Sequence, residues 1–435
     1  MPTIPSLPIL DSSRPDDAHL SHVDPEQWPG VAHVPDSIGI TVRARLAEAA
    51  FARACAKAGL STDPSGNPDV EVLHEALFYR IAESGWLGFA ESWMAGEWRA
   101  ENLAHVLEKL ISVGYQPRTV TRSKVRPDES EEAGEGIIPP ALVGLTSFDG
   151  LSVHGGMFAS GVPTTVRTKV SESTYADVTE WSAPVDVERA DIRDAHARAV
   201  EKLLDACEVR AGTQVLELPV HSGAVTAAAA QRRAIVDAMT TRRELASWLK
   251  EQLVLQGVDD AVHIGVTEKT IPAKLSSRYD AIISTERYEL LPPRDRSRML
   301  AIIDRTLAPG GRAGLQSLVA LPALNQSGIR SMDAIRAYIW PALSYPQLDQ
   351  VRQDIAATSR LYIETENHFG IHYAYSAELQ AKLFVGNARE AAAEGFDSVF
   401  RKLWEYYFGV KQALLNLQMI DAVQFTLATR SPRTR

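Results

Sequence analysis

The feature that most constrains this chain is an alternation of strand-like and helix-like segments between residues 214 and 319. Short apolar runs such as Val262–Val266 are typical of strands, whereas longer amphipathic segments such as Arg294–Leu307 are typical of helices. Strands that alternate with helices favour a mostly parallel sheet covered by helices on both faces. The sequence therefore predicts a doubly wound α/β domain. Its predicted strands are Gln214–Leu218, Ala234–Ala238, Val262–Val266, Tyr279–Ser284 and Arg312–Val319.

The turn after the first strand departs from the pattern that such domains usually show. It reads Leu-Glu-Leu-Pro-Val-His-Ser-Gly over residues 216–223, and the helix-forming run Ala224–Ala230 follows it. This turn normally carries glycines, because the backbone bends sharply there and approaches a nucleotide-like ligand. Here Pro219, which lacks an N–H, and His221, which adds a ring, occupy two of the glycine positions. Whether the chain is an enzyme or the scaffold of one depends on this turn.

Composition divides the chain into four predicted regions. Residues 1–35 carry repeated Pro, Asp and Ser without a period, which predicts a disordered tail. Residues 36–115 are predicted to form a small N-terminal helical domain. Residues 116–140 change from basic to acidic and predict a flexible linker. The α/β domain then occupies residues 141–430.

Several elements outside the alternating region have recognisable patterns. Thr41–Leu60 is predicted to be an amphipathic helix whose apolar face includes Val42 and Leu46. Val70–Ser84 is predicted as a second helix. Val423–Ala428 is predicted to be the last strand, an antiparallel strand at the edge of the sheet.

Charge and cysteine content exclude several classes of protein. The 435-residue chain has a net charge of −10, which argues against a general nucleic-acid binder. Its two cysteines, Cys55 and Cys207, lie in helical patterns typical of buried apolar positions, and no spaced Cys or His pairs predict a metal site. No signal segment or apolar run of about 20 residues occurs. We expect a cytoplasmic protein whose membrane contact, if any, is peripheral at the inner face.

Separate motifs, in order along the chain, resemble one family. The chain is similar to the cyclopropane fatty-acid synthases and mycolic-acid methyltransferases, which use S-adenosylmethionine (SAM). The resemblance implies the Rossmann-like sheet of class I methyltransferases and a lipid acyl chain as substrate. The motifs that carry it are Gly88–Trp98, Tyr279–Glu289, Leu307–Gly311, Tyr338–Pro341, Asn367–Ala374, Trp404–Tyr407 and Asp421–Thr426.

The resemblance also implies a catalytic site that this chain keeps only in part. In the family a bound bicarbonate ion acts as general base, and Cys, Glu, His and Tyr side chains hold it. Glu289 matches the glutamate, and Tyr407 is the predicted tyrosine. Gln316 replaces a histidine of the next strand, Leu290 replaces the histidine after Glu289, and Gly155 stands at the best placement of the cysteine.

The same resemblance assigns the SAM-binding loop to residues 217–223. Glu217 keeps an acidic group at the end of the strand and Gly223 keeps one glycine, but Pro219 and His221 replace others. The acidic residue expected on the adenine side is missing after Val262–Val266, where Glu268 could stand in. The sequence therefore predicts a degenerate loop with weakened SAM binding.

Two hypotheses remain open at this point. The first is a non-catalytic or weakly active homologue that serves as the partner subunit of an active lipid methyltransferase, in a homo- or hetero-dimer. The alternative is an active SAM-dependent enzyme that transfers a methyl or methylene group to the double bond of an unsaturated acyl phospholipid. A different small molecule in the altered pocket is a third possibility, since His221 is a new polar group there.

Overall fold

The computed structural model describes residues 15–119, 138–172, 174–275, 277–358 and 360–430. Its helices are α1 Ile40–Ala58, α2 Ala76–Ser84, α3 Trp86–Ala95, α4 Leu103–Ser112, α5 Pro140–Thr146, α6 Ile192–Ala206, α7 Ala224–Gln231, α8 Arg243–Gln256, α9 Pro293–Thr306, α10 Gln326–Ser331, α11 Asp333–Tyr338, α12 Leu348–Thr358, α13 Gly370–Gly386, α14 Ala388–Ala393 and α15 Ser398–Asn416. Its strands are β1 Glu71–Val72, β2 Trp98–Arg99, β3 Pro163–Ser171, β4 Thr174–Trp181, β5 Gln214–Glu217, β6 Ile235–Thr240, β7 Val262–Val266, β8 Tyr279–Thr285, β9 Leu307–Ala320, β10 Leu361–His368 and β11 Ile420–Thr429.

Nine strands form one sheet in the order β3-β4-β10-β11-β9-β8-β5-β6-β7. The run from β9 through β8, β5 and β6 to β7 is parallel throughout, and β4 is parallel to β10. The pairs β3–β4, β10–β11 and β11–β9 are antiparallel. This mostly parallel sheet with intervening helices confirms the predicted doubly wound α/β class.

The predicted place of the last strand was wrong. Val423–Ala428 lies within β11, which is hydrogen-bonded on one side to β9 and on the other to β10. Because both sides of β11 are paired and its residues are almost all buried, its apolar run marks an interior strand. The sheet edges are β3 and β7.

Alternate side chains of the central strands enter two different cores. Leu216, Ile282 and Leu315 belong to the cluster on one face of the sheet. Val215 and Ile283 belong to the cluster on the opposite face. This period of two explains why the strands read as continuous apolar runs, since both faces are covered.

The chain forms two compact units that do not follow the predicted domain boundaries. Within the described residues, the first unit takes in 15–119, 323–341 and 384–419, and the second takes in 138–322, 342–383 and 420–430. The helical unit therefore includes α10, α11, α14 and α15, which the sequence had assigned to the α/β domain. Most of the predicted linker, residues 120–137, lies outside the described residues.

The predicted disordered tail is packed over its described part. Trp28 and Val31 are buried, and the Arg80 guanidinium donates hydrogen bonds to the carbonyls of Gly30 and Val31. Apolar side chains spaced among Pro and Asp residues stabilise this segment without a helical or strand period, which is why composition alone was misleading. Residues 1–14 of the predicted tail lie outside the described residues.

Helix α1 confirms the first predicted helix but not its apolar face. Val42 and Leu46 are exposed, while Ala44 and Phe51 are buried. The second predicted helix begins later than expected, at Ala76, because the two-stranded β1–β2 sheet precedes it.

The motif Gly88–Trp98 in the first unit allows two helices to pack closely against each other. At Gly88 an added Cβ would lie 2.0 Å from the carbonyl oxygen of Arg80, so only glycine allows helices α2 and α3 to approach this closely. The Phe89 and Trp98 rings stack 4.5 Å apart beside this contact. The motif therefore builds the core of the unit.

None of the helices in the described ranges is long and apolar enough to cross a membrane. Over the same part of the chain, no cluster of three or more His, Cys, Asp or Glu side chains could hold a metal ion. Cys55 and Cys207 are free thiols and both are buried.

Candidate functional site

Hydrogen bonds to both neighbouring strands close the turn after β5. The Leu218 N–H donates to the carbonyl of Ile283 in β8 at 3.0 Å, and the Val220 N–H donates to the carbonyl of Met239 in β6 at 2.8 Å. Pro219 lies between them after a cis peptide bond and has no N–H. Three consecutive residues of the predicted loop therefore have no amide free for a ligand.

The acidic residue of the loop holds the rest of the turn. Glu217 is 1% exposed, and its carboxylate accepts hydrogen bonds from the Thr226 hydroxyl and from the backbone N–H groups of His221 and Thr226. Burial raises the pKa of Glu217 to about 7. The start of α7 is thus capped by the protein's own carboxylate.

Apolar side chains fill the space beside the remaining glycine. Gly223 has φ +138°, which other residues rarely adopt, and an added Cβ would lie 2.7 Å from Cδ1 of Leu249 in α8. Leu151 approaches the same point to 3.4 Å. His221 is buried in the same turn, with 9% of its surface exposed. Close approach of a ligand to Gly223 would require these side chains to move.

The end of β6, the strand beside β5, has no acidic side chain for the sugar of a nucleotide. In β6, the Asp237 carboxylate accepts a hydrogen bond from the Tyr279 hydroxyl at 2.6 Å and lies 3.3 Å from Nδ1 of His263. The strand ends in Met239 and Thr240 rather than in an acid. Glu268, predicted after β7 as the substitute for the acidic residue on the adenine side, is exposed.

A buried carboxylate after β8 is the centre of the second group of polar residues. Glu286 is 5% exposed, with φ +51°. It accepts hydrogen bonds from the Gly155 N–H at 2.9 Å, from Nε2 of Gln316 at 2.9 Å and from the Tyr373 hydroxyl at 2.6 Å. Gln316 and Gly155, both named from the sequence, therefore donate hydrogen bonds to the same carboxylate. That carboxylate, Glu286, was not identified from the sequence.

The predicted glutamate, Glu289, lies beside this group. Its Oε2 accepts from the Ser317 hydroxyl at 2.9 Å and its Oε1 accepts from the Leu318 N–H at 3.1 Å. Burial, and then the negative charge of Glu286, raise the pKa of Glu289 to about 7. Glu289 therefore bonds the two residues that follow Gln316 in β9, and the catalytic roles assigned to Glu289 and Gln316 remain predictions.

A chain of amides orients Gln316. Its Oε1 accepts from Nε2 of Gln424 at 2.8 Å, and the Oε1 of Gln424 accepts from Nδ2 of Asn367 at 3.0 Å. The Trp181 indole donates to Oδ1 of Asn367 at 2.6 Å. Because each amide oxygen already accepts one bond, the Gln316 NH2 group is directed towards Glu286.

The tyrosine hydroxyl in this group comes from Tyr373, not from the predicted Tyr407. Tyr407 lies in the first unit, where its ring packs against Trp340 and Trp404 at 5.0 and 5.3 Å. The role assigned to Tyr407 remains a prediction. Glu286 and Tyr373 both lie in stretches that carry the resemblance, Tyr279–Glu289 and Asn367–Ala374, but neither stretch by itself indicates that the two side chains meet.

Comparisons with known proteins identify the family and the fold of the chain. Residues 179–425, more than half of the chain, match the model of the mycolic acid cyclopropane synthetase family. The chain is 26% identical to tuberculostearic acid methyltransferase UfaA1 of Mycobacterium tuberculosis, over 94% of this chain and 97% of the relative. It is 20% identical to cyclopropane-fatty-acyl-phospholipid synthase of Escherichia coli K12, over 81% of this chain and 85% of that one. The fold is similar to the cyclopropane synthase MmaA2 of Mycobacterium tuberculosis, with a TM-score of 0.55, 17% identity and coverage of 71% of this chain and 99% of that one.

Proposed function

Because the chain belongs to the mycolic acid cyclopropane synthetase family, we propose that it is a non-catalytic member that acts as the partner subunit of an active lipid methyltransferase. The closed turn after β5 is the observation that carries this proposal. Leu218 and Val220 donate their amides to neighbouring strands, and Pro219 has none to offer. The names of the relatives, a tuberculostearic acid methyltransferase and a cyclopropane-fatty-acyl-phospholipid synthase, support acyl chains of lipids as the shared substrate class.

The residues of the turn do not fit SAM as the family binds it. Losing one hydrogen-bond donor costs about 1–1.5 kcal/mol, and steric strain adds about 1–3 kcal/mol. Together they weaken binding by roughly 30- to 1600-fold. Leu249 beside Gly223 adds a further obstacle, since it fills the space that a ligand would use.

The group around Glu286 does not fit a bicarbonate ion either. The donors that would hold a small anion there, the Gly155 N–H, Gln316 and Tyr373, already donate to the Glu286 carboxylate. A second anion beside Glu286 and Glu289 would also be repelled by their charge. We therefore propose that the carboxylate of Glu286 occupies the position that the bicarbonate ion would take.

A non-catalytic member would act by association. A homo-dimer, or a hetero-dimer with an active family member, is the simplest assembly, and an acyl phospholipid at the inner face of the membrane is the simplest shared ligand. Co-expression with candidate family members, followed by co-purification and a methyl-transfer assay with and without this chain, tests the association.

Calorimetric titration with SAM and S-adenosylhomocysteine tests the loss of cofactor binding. We expect no binding at micromolar concentration by the native protein. The double variant Pro219→Gly/His221→Gly is the matched comparison, because it returns glycine to both positions. Micromolar binding by the native protein would contradict the proposal, whereas binding by the double variant alone would assign the loss to these two residues.

The buried carboxylates favour a second candidate function, that of an active SAM-dependent lipid methyltransferase. The pKa of Glu289 is raised to about 7, and Glu286 accepts a hydrogen bond from the Tyr373 hydroxyl. This combination is suited to proton transfer near neutral pH. Methyl transfer from labelled SAM to vesicles of an unsaturated phospholipid is the direct test. Label in the lipid fraction that disappears in Glu289→Gln would replace the first proposal with this one.

A further inference from the structure

A cavity of 440 Å³ in the first unit has a lining rich in basic side chains. Three histidines, His19, His22 and His74, line it together with Lys402 and Ser398. Among the residues that the structure describes, none that lines the cavity is acidic, and Leu73, Met94 and Ala95 form an apolar part of the wall. A concave site that combines several polar donors with an apolar wall is typical of a small-molecule ligand.

The hydrogen bonds of the histidines determine which ring nitrogens can face a ligand. The Ala76 N–H donates to Nδ1 of His74, so a neutral His74 carries its proton on Nε2. His22 places Nδ1 3.2 Å from the carbonyl oxygen of His19, so Nδ1 of His22 is the donor there. The His19 and His74 rings stack with centroids 3.7 Å apart. His74 therefore retains an Nε2–H donor that none of these bonds uses.

Glu97, whose carboxylate contacts His19, is already paired with a buried arginine. Nε2 of His19 lies 3.2 Å from Oε1 of Glu97, but both oxygens of Glu97 also accept from Nε of Arg80, at 2.9 and 3.0 Å. Arg80 and Glu97 are both fully buried. Because Arg80 neutralises the charge of Glu97, this ion pair adds no net charge to the cavity. The charge of the cavity then comes from the residues that line it.

Lys402 supplies that charge. Its Nζ lies 5.3 Å from the centre of the Trp93 ring, and an added Cβ at Gly96 would be 3.1 Å from it, so the amine lies above the glycine backbone. Burial lowers the pKa of Lys402, while the charges of Glu405 and Glu97 oppose this effect. Neither acid lines the cavity or forms an ion pair with Lys402 within the described part of the chain. A ligand anion would be the direct counterion of this amine.

We propose that this cavity binds a phosphate ester, with Lys402 as the charged contact, His74 and Ser398 as neutral donors, and Leu73 and Met94 against the organic group. Donors that approach from several elements suit the three oxygens of a phosphate better than the two of a carboxylate. The volume exceeds what a phosphate group needs, so the apolar wall is left for the alcohol part of the ester. This site lies in the first unit and does not rest on the function proposed for the second.

Calorimetry on the full chain at pH 7 tests the site with four probes: inorganic phosphate, glycerol 3-phosphate, dihexanoylphosphatidylglycerol and, as the carboxylate, acetate. Lys402→Met removes the charge but keeps the length of the side chain, and should weaken binding of glycerol 3-phosphate by about tenfold or more. Lys382→Met is the matched control, because Lys382 is exposed and pairs with Glu378 on α13. It should leave the affinity unchanged.

His22→Gln provides a second variant that packing does not complicate, since the His22 side chain is exposed. It should weaken binding of glycerol 3-phosphate by about threefold. A phospholipid that binds tenfold more tightly than glycerol 3-phosphate would identify a lipid headgroup as the source, and equal affinities would identify a free ester; both support the site. Absence of binding by all phosphate probes, equal binding of acetate, or affinities unchanged in both variants would overturn it.

Discussion

The ends of β5 and β8 are neighbours in the sheet, yet they satisfy their polar groups in different ways. After β5 the backbone does most of this, because the Leu218 and Val220 amides pair with adjacent strands and Glu217 caps the turn. After β8 the side chains do it, because Glu286 and Glu289 depend on donors from distant segments. A turn closed by backbone hydrogen bonds resists single substitutions, whereas a group of buried carboxylates depends on each partner.

The largest expected effect concerns the apolar side chain that fills the space beside Gly223. Leu249→Ala should lower the free energy of unfolding by about 2–5 kcal/mol, since Leu249 is fully buried and a cavity remains. Urea denaturation measures this change, and Leu255→Ala, an exposed position on the same helix, is the control. The variant should still not bind SAM, because the turn amides keep their partners; SAM binding by Leu249→Ala would show that space alone was limiting.

The second effect tests the dependence of Glu286 on its partners. Tyr373→Phe removes the hydroxyl that donates to Glu286 at 2.6 Å and should lower the free energy of unfolding by about 1.5–3 kcal/mol. Tyr375→Phe, two residues along the same helix and partly exposed, should change it little. Equal melting temperatures for both variants would mean that the Glu286 carboxylate does not need this donor.

The smallest expected effect concerns how the stability of the protein depends on pH through one buried glutamate at each strand end. The pKa values of Glu217 and Glu289 are raised to about 7, above the value of about 4.3 in an unfolded chain. The native state therefore binds these protons more tightly, so stability is highest below about pH 4.3 as far as these two groups are concerned and falls as pH rises through about 7. Glu217→Gln or Glu289→Gln should each flatten this fall by about 1–2 kcal/mol between pH 6 and 8. Unchanged pH profiles of unfolding in both variants would contradict the assigned shifts.

The parts of the site that sequence reasoning found are those in which one short segment carries the signal. Glu289 ends the motif Tyr279–Glu289 and Gln316 lies within the predicted strand Arg312–Val319, so their positions could be expected. Glu286 and Tyr373 were missed because their roles appear only when α13 packs against the end of β8. The sequence analysis did not place α15 in the helical unit for the same reason, since α15 lies more than 270 residues further along the chain than the N-terminal helices of that unit.

By itself, the sequence determined the doubly wound sheet, the presence of Pro219 and His221 at glycine positions of the turn after β5, and the family resemblance. These depend on periodicity and residue type within short segments, which act locally. Only the tertiary structure decided how the turn is closed and that β11 lies inside the sheet. It also decided that Glu286 accepts hydrogen bonds from Gly155, Gln316 and Tyr373. The physical reason is the separation of the partners: Gly155 and Tyr373 lie 131 and 87 residues from Glu286, and no local pattern specifies such contacts.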